Sequence, residues 1–126
     1  MVLIHILDTC ILIDYLRGLP AAATCVDNLP DSRISIISWM EVMVGAKSEQ
    51  ESALLRQFLQ SFPVLELDKA VSEEAVSLRQ QHRIKLPDAV VWATARVHQA
   101  QLVTVNTKYF TAHHADVVIP YIPSTR

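Results

Sequence analysis

Leu86-Pro87-Asp88-Ala89-Val90-Val91-Trp92-Ala93-Thr94-Ala95 carries one charge, Asp88, in the whole interval between Lys85 and Arg96. Pro87 suits the start of a helix, where its missing N–H would have had no partner and its fixed φ is already helical. The spacing predicts a helix from Asp88 to Ala100. A helix apolar on every face belongs in the middle of a fold, not on its surface. Leu102 to Val105 follows and reads as a buried strand. Working back along the chain, Ala70 to about His82 is helical, and Val64 to Leu67 is a short strand after the break at Pro63. Glu49 to Phe62 carries Leu54, Leu55, Phe58, Leu59 and Phe62 as a broad helical stripe. Ile34 to Ile37 reads as a second strand running straight into a helix from Ser38 to about Lys47, with Gly45 near its end. Pro20 opens a short helix to about Leu29, and Thr9 to Leu16 forms another that ends at Gly18. Val2 to Leu7 is the first strand and Val117 to Ile119 the last.

Strands and helices thus alternate, which means a mainly parallel sheet of about four to five strands, covered by helices on both faces with right-handed crossovers. The fold class is α/β. With 126 residues, 51% of them apolar, the chain suits one compact domain spanning 1–126. Thirteen acidic against 11 basic residues leave a net charge of −2, which does not favour sequence-blind binding to nucleic acid. Cys10 and Cys25 make no disulfide framework and no zinc spacing, and Cys10, inside an apolar helix, reads as a buried thiol. The apolar N-terminal run ends at Asp8, too short for a signal peptide or a membrane span, so a soluble, cytoplasmic protein is expected.

In such sheets ligands collect outside the carboxyl ends of the strands. Three acids fall there. Asp8 follows the first strand and, alone, reads as an N-cap. Ser38-Trp39-Met40-Glu41 is the S-x-x-E capping box. Asp88 in a first helical turn complements the helix dipole. Taken together they mean more. Carboxylates brought together without a cation repel, by about 1 kcal/mol per pair in water and several in a less polar medium. A divalent ion removes that penalty, and oxygen ligands favour Mg²⁺ or Mn²⁺ over zinc. Such a site can activate water and stabilise charge on a phosphodiester during in-line displacement.

At this point the chain resembles the PIN-domain ribonucleases, and VapC-type toxins in particular. Asp8-Thr9 resembles their Asp-Thr/Ser after the first strand, and Ile37 to Gly45 their helix carrying a second acid. Leu86 to Ala95 matches their L-P-D-A followed by A-T-A. Leu102-Val103-Thr104-Val105-Asn106-Thr107-Lys108-Tyr109-Phe110 matches the fourth block. The resemblance spans nearly the whole chain, in order. It implies Asp8, Glu41 and Asp88 as metal ligands, and Thr9 as a partner of a metal water or the scissile phosphate. It also implies an RNA substrate, a cognate antitoxin that blocks the cleft, and a homodimer. One departure stands out: many relatives have an acid before the last Phe, where this chain has Tyr109. A phenol is a poor replacement for a carboxylate. Either Asn106, expected near Asp8, completes the site, or Asp116 reaches it, or activity is reduced and the domain is an inactive module that binds RNA or a protein.

Other readings are weaker. A haloacid-dehalogenase-type phosphatase needs D-x-D-x-T, and Asp8-Thr9-Cys10 lacks the second Asp. Two glycines, Gly18 and Gly45, cannot build a phosphate loop. Arg79, Arg83 and Lys85 read as a basic helix end that offsets the dipole, with an RNA path as the alternative. Lys108 reads as solvated, with a phosphate contact as its alternative. His113-His114 lacks the i, i+4 spacing of a metal pair, and His82 and His98 show no partner in the sequence. Trp39, Met40 and Met43 read as core, with a partner surface as the alternative.

Overall fold

The computed structural model describes residues 3–111 and 114–122. Among them, strands β1 (His5–Leu7), β2 (Ile34–Ser35), β3 (Val64–Leu65), β4 (Gln101–Val103) and β5 (Val117–Val118) alternate with helices. The helices are α1 (Thr9–Leu16), α2 (Pro20–Asp27), α3 (Ile36–Val44), α4 (Glu49–Leu59), α5 (Lys69–His82) and α6 (Leu86–Val97). Every strand pairing is parallel: β1 with β4, β4 with β5, and β2 with β3. The two groups join through a bridge between Ile6 and Arg33, where Leu7 N–H donates to the Arg33 carbonyl and Arg33 N–H to the His5 carbonyl, both at 2.9 Å. The order across the sheet is therefore β3-β2-β1-β4-β5, and its parallel pairing is what the alternation of elements leads one to expect.

Side chains alternate across a strand, and this builds two cores. Ile6, Leu102 and Val117 face α5 and α6. Leu7, Val103 and Ile34 face the other way, into a cluster with Ile11, Leu12, Cys25, Val42 and Leu59. Helices cover both faces. In α6 every residue from Ala89 to Ala95 is buried, so the nearly uncharged stretch is the central helix.

The element ends differ from the sequence reading in instructive ways. The first strand was expected from Val2, which lies outside the described residues; pairing begins at His5. The second strand stops at Ser35, not Ile37, and Ser35 caps α3 with its hydroxyl accepting from Ile37 N–H at 3.1 Å. Ile34 to Ile37 is apolar on both sides of that boundary, so hydrophobicity left no mark of it. The S-x-x-E capping box is accordingly not one: Ser38 lies inside the helix and is fully buried. Helix α6 ends at Val97 instead of Ala100. Gln99 takes φ 54°, while Ala100 N–H reaches the Ala95 carbonyl and Gln99 N–H the Arg96 carbonyl, a Schellman stop without glycine. At the end of α1 the same stop uses Gly18 at φ 81°, and there the sequence is legible.

Candidate active site

Asp8 leaves β1 at its carboxyl end, where its own N–H is held by the Val103 carbonyl at 2.9 Å. Its Oδ1 accepts from Thr9 N–H at 2.8 Å, the helix cap expected of it. Its Oδ2 accepts from the Thr104 hydroxyl at 2.7 Å, and the Cys10 thiol donates from 3.7 Å. The cap thus uses one oxygen and leaves the other to the site. Burial pushes this carboxyl up to about 6, the hydrogen bonds from Thr104 and Thr9 N–H pull it down, and the charge of Asp88 adds to the rise.

Glu41 lies on the exposed face of α3. Its Oε1 is 2.7 Å from the Thr9 hydroxyl, which is also 2.9 Å from the Ser38 hydroxyl. Thr9 has a single hydrogen and an ionised carboxylate can only accept, so Thr9 donates to Glu41 and receives from Ser38. The Thr9 hydroxyl, expected to face a metal water or phosphate, is instead committed to Glu41.

Asp88 is half-buried in the first turn of α6. Burial raises its pKa, the charge of Glu41 raises it further, and Lys85 lowers it. Asp88 therefore feels Glu41, and Asp8 feels Asp88. The acids are thus linked in two pairs through Asp88, and neither ion pair among the described residues includes any of them.

Asn106 follows β4. Its N–H donates to the Thr104 hydroxyl at 3.0 Å, and its carbonyl accepts from Phe110 N–H at 3.1 Å. Its backbone thus stands one hydroxyl away from Asp8. Asp116 does not reach the site. It leads into β5, so in a parallel sheet it sits at the opposite end, where it accepts from Trp92 Nε1 at 2.9 Å and Arg96 Nε at 2.8 Å. Tyr109 packs partly buried against the α5–α6 core, with the Lys108 ammonium 5.3 Å from its ring.

Arg79 donates to the Ile84 carbonyl and Arg83 takes the left-handed cap at φ 55°, so these two close α5 as a basic helix end. Lys85 acts on Asp88. His82 has partners after all: its ring lies 4.8 Å from Trp92 and 5.3 Å from His114, itself 4.9 Å from Trp92. His114 is thus packed and not a bare surface residue, and His113 lies outside the described residues. Trp39 and Met43 pack against the core of the opposite face, while Met40 is exposed. Sequence reasoning missed three site neighbours. Ser38 was read as a cap and Cys10 as a buried thiol, yet Cys10 is only half-buried and stands among Asp8 and Thr104. Thr104 lay within a quoted motif, but nothing in its type or spacing marked it as a donor to Asp8.

The oxygen donors fit a hard divalent cation in chemistry and in charge, since three neighbouring carboxylates have only neutral donors and one lysine to offset them. Among the described residues no three His, Cys, Asp or Glu side chains are arranged to grip an ion directly. Mg²⁺ needs no such cage, since it keeps several waters and is held by one or two carboxylates. Glu41 also borders a groove of about 300 Å³ lined by Leu16, Arg17, Val42 and Leu55. No single helix among the described residues is long and apolar enough to cross a membrane.

Comparison with known proteins adds independent findings. Residues 5–114 match the PIN domain. The chain is 31% identical over 116 residues to the ribonuclease VapC10 of Mycobacterium tuberculosis, covering 83% of this chain and 84% of that protein. Its fold is similar to a chain in a toxin–antitoxin complex from Klebsiella pneumoniae, with a TM-score of 0.88, 41% identity, and coverage of 94% of this chain and 99% of that one. It also resembles FitAcB from Neisseria gonorrhoeae in fold, with a TM-score of 0.76, 24% identity, and coverage of 92% and 97%.

Proposed function

The chain belongs to the PIN domain family, and from that premise we propose that it is a metal-dependent endoribonuclease, the toxin of a toxin–antitoxin pair. What supports the reading is that the charge of Asp88 acts on Asp8 and that of Glu41 on Asp88, with none of the three in an ion pair among the described residues. These three residues would hold Mg²⁺ or Mn²⁺ between them, one or two directly and the rest through its waters. Such an ion supplies neutralising charge at phosphodiester oxygens and makes water a competent nucleophile near neutral pH. The chain's own part is positional. Thr9 keeps Glu41 in place, Thr9 N–H fixes one oxygen of Asp8, and Lys85 offers a cation beside Asp88. Asn106, whose N–H is held by the same Thr104 hydroxyl that meets Asp8, would complete the site in place of the acid that this chain lacks at Tyr109.

The likeness to VapC10 supports RNA as the substrate, and the likeness to the Klebsiella complex supports an antitoxin partner that closes the cleft. A homodimer working in the cytoplasm is part of the same proposal. The test is cleavage of a structured RNA by purified protein with Mn²⁺, set beside Asp88→Ala. Wild type should cut and stop cutting on chelation, and the variant should stay folded and inactive. Equal cutting by both would expose contamination and end the enzyme reading. RNA binding without cutting by wild type would favour a non-catalytic binding module, for which Tyr109 is the supporting feature.

A further inference from the structure

We propose that Thr104 is a positioning residue for this centre, whose hydroxyl locks the Asp8 carboxylate and the Asn106 turn into one rigid unit. Its effect on the ion rests on the divalent-cation reading above; its geometry does not. Thr104 lies one residue beyond β4 and is fully buried. Its Oγ1 stands 2.7 Å from Asp8 Oδ2, 3.0 Å from Asn106 N and 3.5 Å from Cys10 Sγ. The directions of these bonds follow from chemistry. An amide N–H can only donate, so Asn106 occupies a lone pair of the hydroxyl. An ionised carboxylate can only accept, so the one hydroxyl hydrogen points at Asp8. With Asp8 ionised, neither bond can reverse.

The consequence is orientation. Thr9 N–H holds Oδ1 and Thr104 holds Oδ2, so the plane of the carboxylate is fixed from both oxygens. Each oxygen has about two acceptor positions, so Oδ1 keeps one for a hydrated cation, while at Oδ2 the second faces the more distant Cys10 thiol at 3.7 Å. The β-branched side chain restricts χ1, so the hydroxyl does not wander. Through Asn106 N–H the same atom sets the start of the turn that carries Asn106, Lys108 and Tyr109. A shift in that turn is therefore felt at Asp8.

Two variants separate this role from mere packing. T104V keeps the shape and removes the hydroxyl; T104S keeps the hydroxyl and removes the methyl group. Two quantities are read: Mn²⁺ affinity by calorimetry, and the hydrogen exchange rate of the Asn106 amide in metal-free protein. T104V should weaken Mn²⁺ binding about tenfold or more, the usual effect of losing a partner that orients a ligand, with T104S within about threefold of wild type. Asn106 exchange should be faster in T104V and near wild type in T104S. T104V matching wild type in both, or T104S failing as T104V does, would overturn the proposal. If wild type binds no Mn²⁺, the cation reading fails by itself, and Asn106 exchange decides the clamp. Should T104V not fold, T104A is compared with T104S by the same two measurements.

Discussion

Asp8 and Asp116 stand at opposite ends of one parallel sheet and meet opposite fates. Burial raises the pKa of both. At Asp116 the Arg96 guanidinium and the Trp92 indole N–H outweigh that cost and hold the carboxyl below its usual range. At Asp8 the donors are neutral, a hydroxyl and a backbone N–H, and a second acid lies near, so the carboxyl stays raised at about 6. One end is electrostatically complete from its own residues. At the other, neutral donors do not outweigh burial, and the carboxyl stays easily protonated. Buried charges that their partners do not fully offset are costly, and perturbed carboxyls cluster at functional sites, which is why the chemistry is proposed at this end.

The strongest way to break this contrast is Asp8→Asn, which preserves shape and removes the charge. Cleavage should fall roughly 1,000-fold or more, since under the proposal several kcal/mol of transition-state stabilisation would depend on an ion held by these acids. The folded state should be no less stable in metal-free buffer. Single-turnover RNA cleavage and urea unfolding of one preparation measure both, and activity near that of wild type would refute the role of Asp8. Asp116→Ala should do the reverse. It strands the Trp92 N–H and the Arg96 charge, costing about 1–3 kcal/mol, a drop of several degrees in melting temperature, while cleavage stays within about twofold. A large loss of cleavage would mean that Asp116 reaches the site after all.

The same contrast fixes two slopes in pH, both read in EDTA. The folded pKa of Asp8 is raised from its ordinary 3.8 to about 6, so between those values the folded state binds more protons than the unfolded one. Its contribution to stability therefore falls as pH rises through that window and is level above it. Asp116 is lowered from 3.8. Its contribution is present above that value and is lost as pH falls through the folded one. Urea midpoints from about pH 3 to 7 should lose the decline in Asp8→Asn and the acid-side loss in Asp116→Asn. Curves parallel to wild type in both variants would mean that the two ends do not differ.

How much of this was legible follows from what each residue depends on. The parallel α/β order was readable because apolar runs and turn residues are local signals. So was the buried α6, whose composition leaves no other place for it. Asp8, Glu41 and Asp88 were singled out because strand ends in such sheets converge by topology. What escaped depends on contacts between distant stretches of chain. Thr104 touches Asp8 across 96 positions and Thr9 touches Ser38 across 29, and no spacing rule reports either. The Asp116 alternative failed for the same reason, since its partners Trp92 and Arg96 are set by how α6 lies on the sheet.

The finest test asks whether the completed end is held by charge or by shape, and Arg96→Lys separates them. Arg96 Nε donates to Asp116 at 2.8 Å, and its guanidinium lies 4.6 Å over the Trp92 ring. Lysine keeps the positive charge but gives up the planar donor and the stacking. The pair is partly open to water, with side-chain exposures of 34% and 25%, so solvent screening limits the ionic part to at most about 1 kcal/mol. Stacking of the cation on the ring adds about 0.5–1 kcal/mol. Because charge survives in the variant, the expected loss in unfolding free energy is under about 1 kcal/mol, with cleavage unchanged. A loss as large as that of Asp116→Ala would show that the fixed geometry of arginine, more than its charge, completes this end. No loss at all would leave the Trp92 N–H as the group that holds Asp116.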